Sequence, residues 1–352
     1  MTHAVPLSIE SLVRRLSAVL AVLVLTAGAV AQDAPALDRT TAEAEAVAAS
    51  VDVRTAQLDL DAARREAARV EADPTSLRVA LLRARHEVEA AEDALRNARA
   101  AARDAGADAF EAALQARDGV AVASTALDIA RTEADAARIR LEAGAATEND
   151  VARADDVARS AERDLADAER RFALALDRLA QAIGRDEVPG RLVEPVADPN
   201  VPSLASVLER ATENASLRAA LRAVRLAEAQ LAAVDIAFTS ARADVEAAED
   251  AVATARLRAD DLAETLRLSL RQAHDAVLAA DARRVSAEEA LATADEDVSV
   301  AVARFDAGSI SQVVLERTRL ERLRRRAELH TARIGYADAL RSLDAAVLGV
   351  AR

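Results

Sequence analysis

The chain has 352 residues and a formal charge of −14; 94 residues are Ala, only five are aromatic, all 46 basic residues are Arg, and there is no Cys. So much Ala and so few rings cannot fill one thick globular core, because Ala buries little apolar area; good helix formers with few breakers point instead to long helices packed side by side. The absence of Cys excludes disulfide frameworks, zinc–thiolate sites, Cys nucleophiles and a lipoprotein anchor, and the acid excess argues against nucleic acid and anionic lipid as partners.

In chain order, residues 1–31 read as a secretory signal peptide. Arg14 and Arg15 close a basic start, Leu16 to Val30 is a short apolar run, and Ala29-Val30-Ala31 offers a small-x-small cleavage site. A short N-terminal segment, 32–39, follows. A first helix is expected from Thr41 to Ala72, then a turn at Asp73-Pro74-Thr75-Ser76. A second helix reaches Ala143, about 68 residues or ~100 Å if continuous, with Gly106 and Gly119 as places where it could bend. A third runs from Thr147 to Ile183. Pro189, Pro195, Pro199 and Pro202 then fall close together and mark an extended linker over 189–203. The plan is therefore a helical unit over 40–188 and another over 204–352. No stretch after the leader is long and apolar enough to cross a bilayer as a helix.

Two glycines read as helix stops. Ala143-Gly144-Ala145-Ala146-Thr147 and Ala307-Gly308-Ser309-Ile310-Ser311 each put Gly where a helix ends in a left-handed residue. A Ser or Thr suited to capping the next helix follows three residues later, and Thr147 with Asp150 is close to a capping box. The two turns are 164 residues apart, and that spacing continues beyond them. Arg140 matches Arg304, Leu165 matches Leu329, Leu179 matches Leu343, and Phe172 matches Tyr336 as an equivalent packing point. One segment slips: Val88 to Ala94 recurs at Val245 to Ala251, one heptad short of the shared offset. An internal duplication is expected.

The residues Arg138-Ile-Arg-Leu-Glu-Ala-Gly-Ala-Ala-Thr147, the third helix, and Phe172-Ala-Leu-Ala-Leu-Asp-Arg-Leu179 ending at Gly184 resemble the outer-membrane efflux protein (TolC-like) family. So do Ala303 to Ser311, Tyr336 to Leu340 and the tandem duplication itself. The resemblance implies an all-α fold of long antiparallel coiled-coil helices in two tandem repeats, and a homotrimer whose six repeats form a hollow periplasmic α-barrel. It implies outward transport of small molecules or proteins with a periplasmic adaptor (membrane fusion) protein and an inner-membrane pump, in an exported, outer-membrane-associated setting. Gly144, Ala145 and Thr147 with Gly308, Ser309 and Ser311 would then be the adaptor-docking tips. Asp150, Arg153, Val314 and Arg317 would line the pore beside them.

The sequence departs from the family twice. Members insert two membrane strands per repeat between the first and second helices, but here those places hold only 73–76 and 237–240, too short for strands of about nine to eleven residues. A transmembrane barrel is therefore not expected. The family can also carry Asp six and nine residues beyond the second tip Gly; here those places are Val314 and Arg317, against Asp150 and Arg153 in the first repeat. Capping accounts for Asp150, and the two Arg read equally as an anion-tolerant lining or as solvated surface.

Catalytic chemistry is not expected. His86, His274 and His330 are dispersed and read as surface residues. Arg322 with Arg324-Arg325-Arg326 reads as inter-helix ion pairing, given Glu321 and Glu328, and no phosphate loop, nucleophile elbow, cofactor site or metal motif appears. Two functional readings stand: an efflux or secretion conduit, and a non-channel scaffold of the cell envelope built on the same fold.

Overall fold

The computed structural model describes residues 36–188, 191–193, 200–236 and 241–350. The expected leader over 1–31, Pro189, Pro195 and Pro199, and the connection 237–240 lie outside the described residues.

Two sets of helices account for nearly all of the described chain. The first comprises α1 (Arg39–Ala49), α2 (Val51–Ala72), α3 (Arg78–Glu142) and α4 (Glu148–Ile183). The second comprises α5 (Leu204–Glu209), which continues as a 3₁₀ turn over Arg210–Glu213, then α6 (Ala215–Ile236), α7 (Arg242–Asp306) and α8 (Gln312–Leu348). The boundaries of α2 and α6, of α3 and α7, and the starts of α4 and α8 all recur at an offset of 164. The Val88–Ala94 likeness at the shorter offset is thus a motif displaced by one heptad inside helices of equal length, not a lost heptad.

The first expected helix is two. Ser50 adopts an extended backbone, φ −61° and ψ 126°, and its Oγ accepts from Val53 N at 3.3 Å. A side chain that can bond its own downstream amide favours a new helix start over continuation. In the second set Asn214 stands at the corresponding place, accepting at Oδ1 from the Ser216 and Leu217 amides at 3.0 and 3.1 Å.

Ala and Leu stripes bury each set. Phe110, Ala113, Leu114, Ala175, Leu179 and Ile183 form one core, closed by Leu37 and Leu192. Those two leucines belong to β1 (Ala36–Leu37) and β2 (Arg191–Leu192), which pair in parallel, so the start of the linker clips the N-terminal segment over this core. A second core gathers Leu266, Leu270, Val277, Tyr336, Leu343 and Val347, roofed by Val207 and Leu217. Each large side chain so buried is worth about 1.5–3 kcal/mol. Close approach at α1 requires Gly106: a Cβ there would meet Ala46 Cβ at 2.7 Å and Ala42 O at 2.9 Å.

Phe172 and Tyr336 are not equivalent packing points. Tyr336 is fully buried, with the Arg284 guanidinium over its ring at 5.6 Å, whereas Phe172 is only half-buried. Phe110 supplies the buried ring of the first core instead.

Candidate functional site

The two Gly turns have the geometry their sequences require. Gly144 has φ +70° and Gly308 φ +69°, a region that L side chains enter only at a cost. At the first turn Ala145 N donates to Arg140 O at 2.7 Å and Gly144 N to Leu141 O at 2.9 Å. At the second, Ser309 N donates to Arg304 O at 2.9 Å and Gly308 N to Phe305 O at 2.8 Å. Both pairs are the Schellman closure that satisfies the last carbonyls of a helix. A Cβ on either Gly would meet nothing, so only the backbone angle demands glycine, and both turns are exposed.

The turns differ in how the next helix starts. Asp150 N donates to Thr147 Oγ1 at 3.2 Å while Thr147 N donates to Asp150 Oδ2 at 2.9 Å, a complete capping box. These bonds from Thr147 hold the Asp150 carboxyl below its ordinary value. Ser311 makes no side-chain cap bond, and Val314 occupies the place of Asp150.

Both turns lie at one end of the molecule. Arg317, early in α8, pairs with Glu133, late in α3, at 2.6 Å. Together with Asp118–His330 and Glu111–Arg341 it shows α8 running antiparallel to α3, which brings the two tips side by side. Arg153, its counterpart on α4, is exposed, as is Val314. Of the four residues expected near the pore, Asp150 caps a helix and Arg317 bridges helices; the fold places all four within two turns of the tips.

Sequence reading missed a charged seam that joins the two helix sets. Arg222 pairs with Asp93 at 2.8 Å, with Arg218 beside it at 3.1 Å, and Arg225 reaches Glu89 at 3.2 Å. Further along, Arg341 binds Glu111 at 2.9 Å and Asp108 at 2.8 Å. His330 Nδ1 meets the Asp118 carboxylate, and Arg39 adds 3.5 Å to Glu111 from within the first set. Every one of these cross-set pairs puts the acid on α3 and the base on α6 or α8.

Burial raises the stakes at three of the residues in these pairs. Asp93, Glu111 and Arg222 are all more than nine-tenths buried, so each charge relies on its partner. Burial opposes the charge on Arg341, but the bonds and charges of Glu111, Asp108 and Asp338 outweigh it and raise its pKa further. Burial likewise pushes Asp118 up, yet the hydrogen bond and charge of His330, with Arg117, hold it below the usual carboxylate range.

Two expectations about histidine fail here. His330 and His274 are both buried, and His274 Nε2 lies 2.9 Å from the Pro202 carbonyl, tying the linker to α7. Three-dimensional neighbours far away in sequence supply these partners, which spacing along one helix cannot reveal. Of the Arg322 cluster, Arg322 does pair between helices, with Asp295 of α7, whereas Arg325 holds Glu321 and Glu328 within α8 itself at 2.8 and 2.9 Å.

Among the described residues no group of three His, Cys, Asp or Glu is placed to hold a metal, and no helix is long and apolar enough to cross a membrane. Between α2 and α3 the chain turns through Asp73 to Leu77, Thr75 N donating to Asp73 Oδ1 at 2.9 Å. The only strands among the described residues are the two-residue β1 and β2.

No protein-family model and no curated protein matches the sequence. Solved structures do match the fold. A membrane protein from Pseudomonas aeruginosa is 16% identical over 88% of this chain and 92% of its own, with a TM-score of 0.62. CusC, studied for conformational changes accompanying folding and transmembrane channel formation, is 14% identical over 86% and 91%, with a TM-score of 0.61. The CmeC outer-membrane channel of Campylobacter jejuni is 12% identical over 88% and 85%, with a TM-score of 0.60. The chain thus has the long-helix fold of TolC-like outer-membrane efflux channels, with no barrel strands among the described residues.

Proposed function

We propose that this chain, built on the helical fold of the outer-membrane efflux channels, is the envelope component of an export system and assembles, as a homotrimer, into a helical conduit. The observation that carries the reading is the fold likeness across nearly nine-tenths of the chain, with two exposed glycine tips brought to one end. A hollow bundle needs long helices that curve side by side with narrow seams, and Ala-rich stripes supply that spacing.

In this reading residues 1–31 direct export and are removed, and the units over 40–188 and 204–352 each contribute one helical repeat to the wall. The tips Gly144, Ala145, Thr147, Gly308, Ser309 and Ser311 meet a periplasmic adaptor coupled to an inner-membrane pump. Asp150, Arg153, Val314 and Arg317 ring the opening beside them. Transport, not catalysis, is the activity, and the conduit is associated with the outer membrane by means other than strands inserted between α2 and α3.

A second reading has an observation of its own. The connections over 73–77 and 237–241 are too short for membrane strands, so the same fold could space the envelope as a closed bundle without a bore. Electron microscopy of the purified oligomer separates the two. A ring with a water-filled lumen supports the conduit; a solid bundle with a dry Ala/Leu centre overturns it in favour of the scaffold.

A further inference from the structure

The charged seam between the two helix sets is not balanced along its length. At one end the single guanidinium of Arg341 stands among Glu111, Asp108, Asp338 and Asp104. At the other end, in the half of α3 away from the tips, the imbalance reverses. Arg96, Arg218 and Arg222 all pair with Asp93, while Arg222 and Arg225 pair with Glu89, so four guanidinium groups share two carboxylates. Arg99 and Arg103 continue the stripe of Arg96 at helical spacing, both exposed, and among the described residues no carboxylate pairs with either. The nearby Glu92 is already held by Arg64 of α2 at 2.9 Å. The repeat does not require this excess, because at an offset of 164 the counterparts of Arg96, Arg222 and Arg225 are Asp260, Leu58 and Asp61.

A cavity of about 630 Å³ opens on this basic end between α3 and α6, lined by Glu89, Arg218, Leu221, Val224 and Arg225. That is room for a small ligand. Arg218 makes one contact, to Asp93 at 3.1 Å, and Arg225 makes one, to Glu89 at 3.2 Å, so each guanidinium keeps N–H donors for the cavity. Leu221, 44% exposed, puts apolar surface beside these cations. His86, one helical turn before Glu89, has a buried Nε2 with no hydrogen-bond partner among the described residues. Burial, with the charges of Arg225 and Arg222, holds its imidazole below the ordinary value against the opposite pull of Glu89 and Glu87. The imidazole therefore reports the field at this end of the seam.

We propose that this cavity binds an amphipathic phosphomonoester, an alkyl chain ending in a phosphate dianion. The phosphate oxygens accept N–H bonds from Arg218 and Arg225, whose planar guanidinium groups match phosphate geometry, and the alkyl chain lies on Leu221 and Val224. The surplus charge selects the head group. A phosphomonoester carries about −1.5 to −2 at neutral pH and can satisfy both spare guanidinium groups, whereas a carboxylate brings a single charge. Glu89 in the lining does not repel it, because Arg222 and Arg225 already offset that carboxylate. The net acidity of the chain argues against a broad anionic surface as partner, but a cleft lined by one sign of charge focuses its field locally. The site stands apart from the choice between conduit and scaffold. A lipid head group in a bilayer and a soluble alkyl phosphate present the same chemistry.

Calorimetric titration of the full chain with dodecyl phosphate, kept below its micelle concentration, tests the site. Binding roughly tenfold tighter than to inorganic phosphate or to dodecyltrimethylammonium is expected. Among variants that keep the parent's helix content by circular dichroism, Arg225→Gln should weaken dodecyl phosphate roughly tenfold. Leu221→Ser should weaken it about threefold without changing inorganic phosphate, and Arg159→Gln, near the tips, should leave it unchanged. In the unsubstituted chain, saturating dodecyl phosphate should raise the His86 titration midpoint read by NMR, since a dianion offsets Arg225 and Arg222. Flotation with vesicles containing phosphatidic acid separates the two sources: co-flotation identifies a bilayer head group, and its absence alongside dodecyl phosphate binding identifies a soluble ligand. Equal affinity for dodecyl and inorganic phosphate, unchanged affinity in Arg225→Gln, or an unmoved His86 overturns the site.

Discussion

The two helix sets are built to the same lengths but held in different surroundings, and they diverge wherever the surroundings differ. At the place of Gly106 in α3 the second set has Leu270, fully buried. The small residue lets the eleven-residue α1 lie against α3; the large one leaves room only for the six-residue α5 and its 3₁₀ turn. At the place of Phe110 stands His274, which reaches the Pro202 carbonyl where Phe110 fills apolar space. Helix α3 faces neighbours on two sides and buries Asp93 and Glu111, while the corresponding α7 residues, Leu257 and Asp275, are exposed. The 164-residue correspondence thus holds for the local rules that set helix ends, while the side chains answer to each position in the assembled chain.

The largest effect expected from breaking this comparison is at the rings. Phe110→Ala should cost about 3–5 kcal/mol in urea unfolding, whereas Phe172→Ala, at the half-buried place, should cost about 1 kcal/mol. Equal losses would restore Phe172 as the counterpart of Tyr336 in the first set.

Gly106→Ala comes next. The new methyl must displace α1 or distort α3, an overpacking cost of about 1–3 kcal/mol, read by the same unfolding and by faster amide exchange in α1. A neutral result would mean that α1 does not pack as closely as its 2.7 Å clearance implies.

The smallest effect belongs to the tips. Asp150→Ala should speed amide exchange in the first turn of α4, and Val314→Asp should slow it in the first turn of α8 by completing there the box that Ser311 lacks. Because Thr147 lowers the Asp150 pKa, the cap's contribution is present above the ordinary carboxylate value and is lost as pH falls through the depressed folded value. Relative to the intrinsic exchange rate at each pH, protection at the first tip should therefore fall in acid while that at the second stays flat.

Much of the architecture was legible before any coordinates. Gly144 and Gly308 announced their left-handed turns because few other residues adopt that angle, and Thr147 with Asp150 announced a cap because both partners lie within one helical turn. The helix break at Ser50 was hidden, since a lone Ser inside an Ala-rich run reads as a tolerated helix residue. Only its bond to Val53 N shows that it starts a new one.

Length, Ala content and the 164-residue repeat by themselves determined an all-helical chain of two like sets, because propensity, capping and turn angle act over a few residues. Tertiary structure alone decided which face of each long helix is inside. It put Arg222 on Asp93, Arg341 on Glu111 and His330 on Asp118, pairs separated by more than a hundred residues. It also left Leu58 and Leu257 in the open. Burial depends on which helix arrives alongside, and no local pattern in an Ala-rich sequence, where every face is nearly the same, carries that choice.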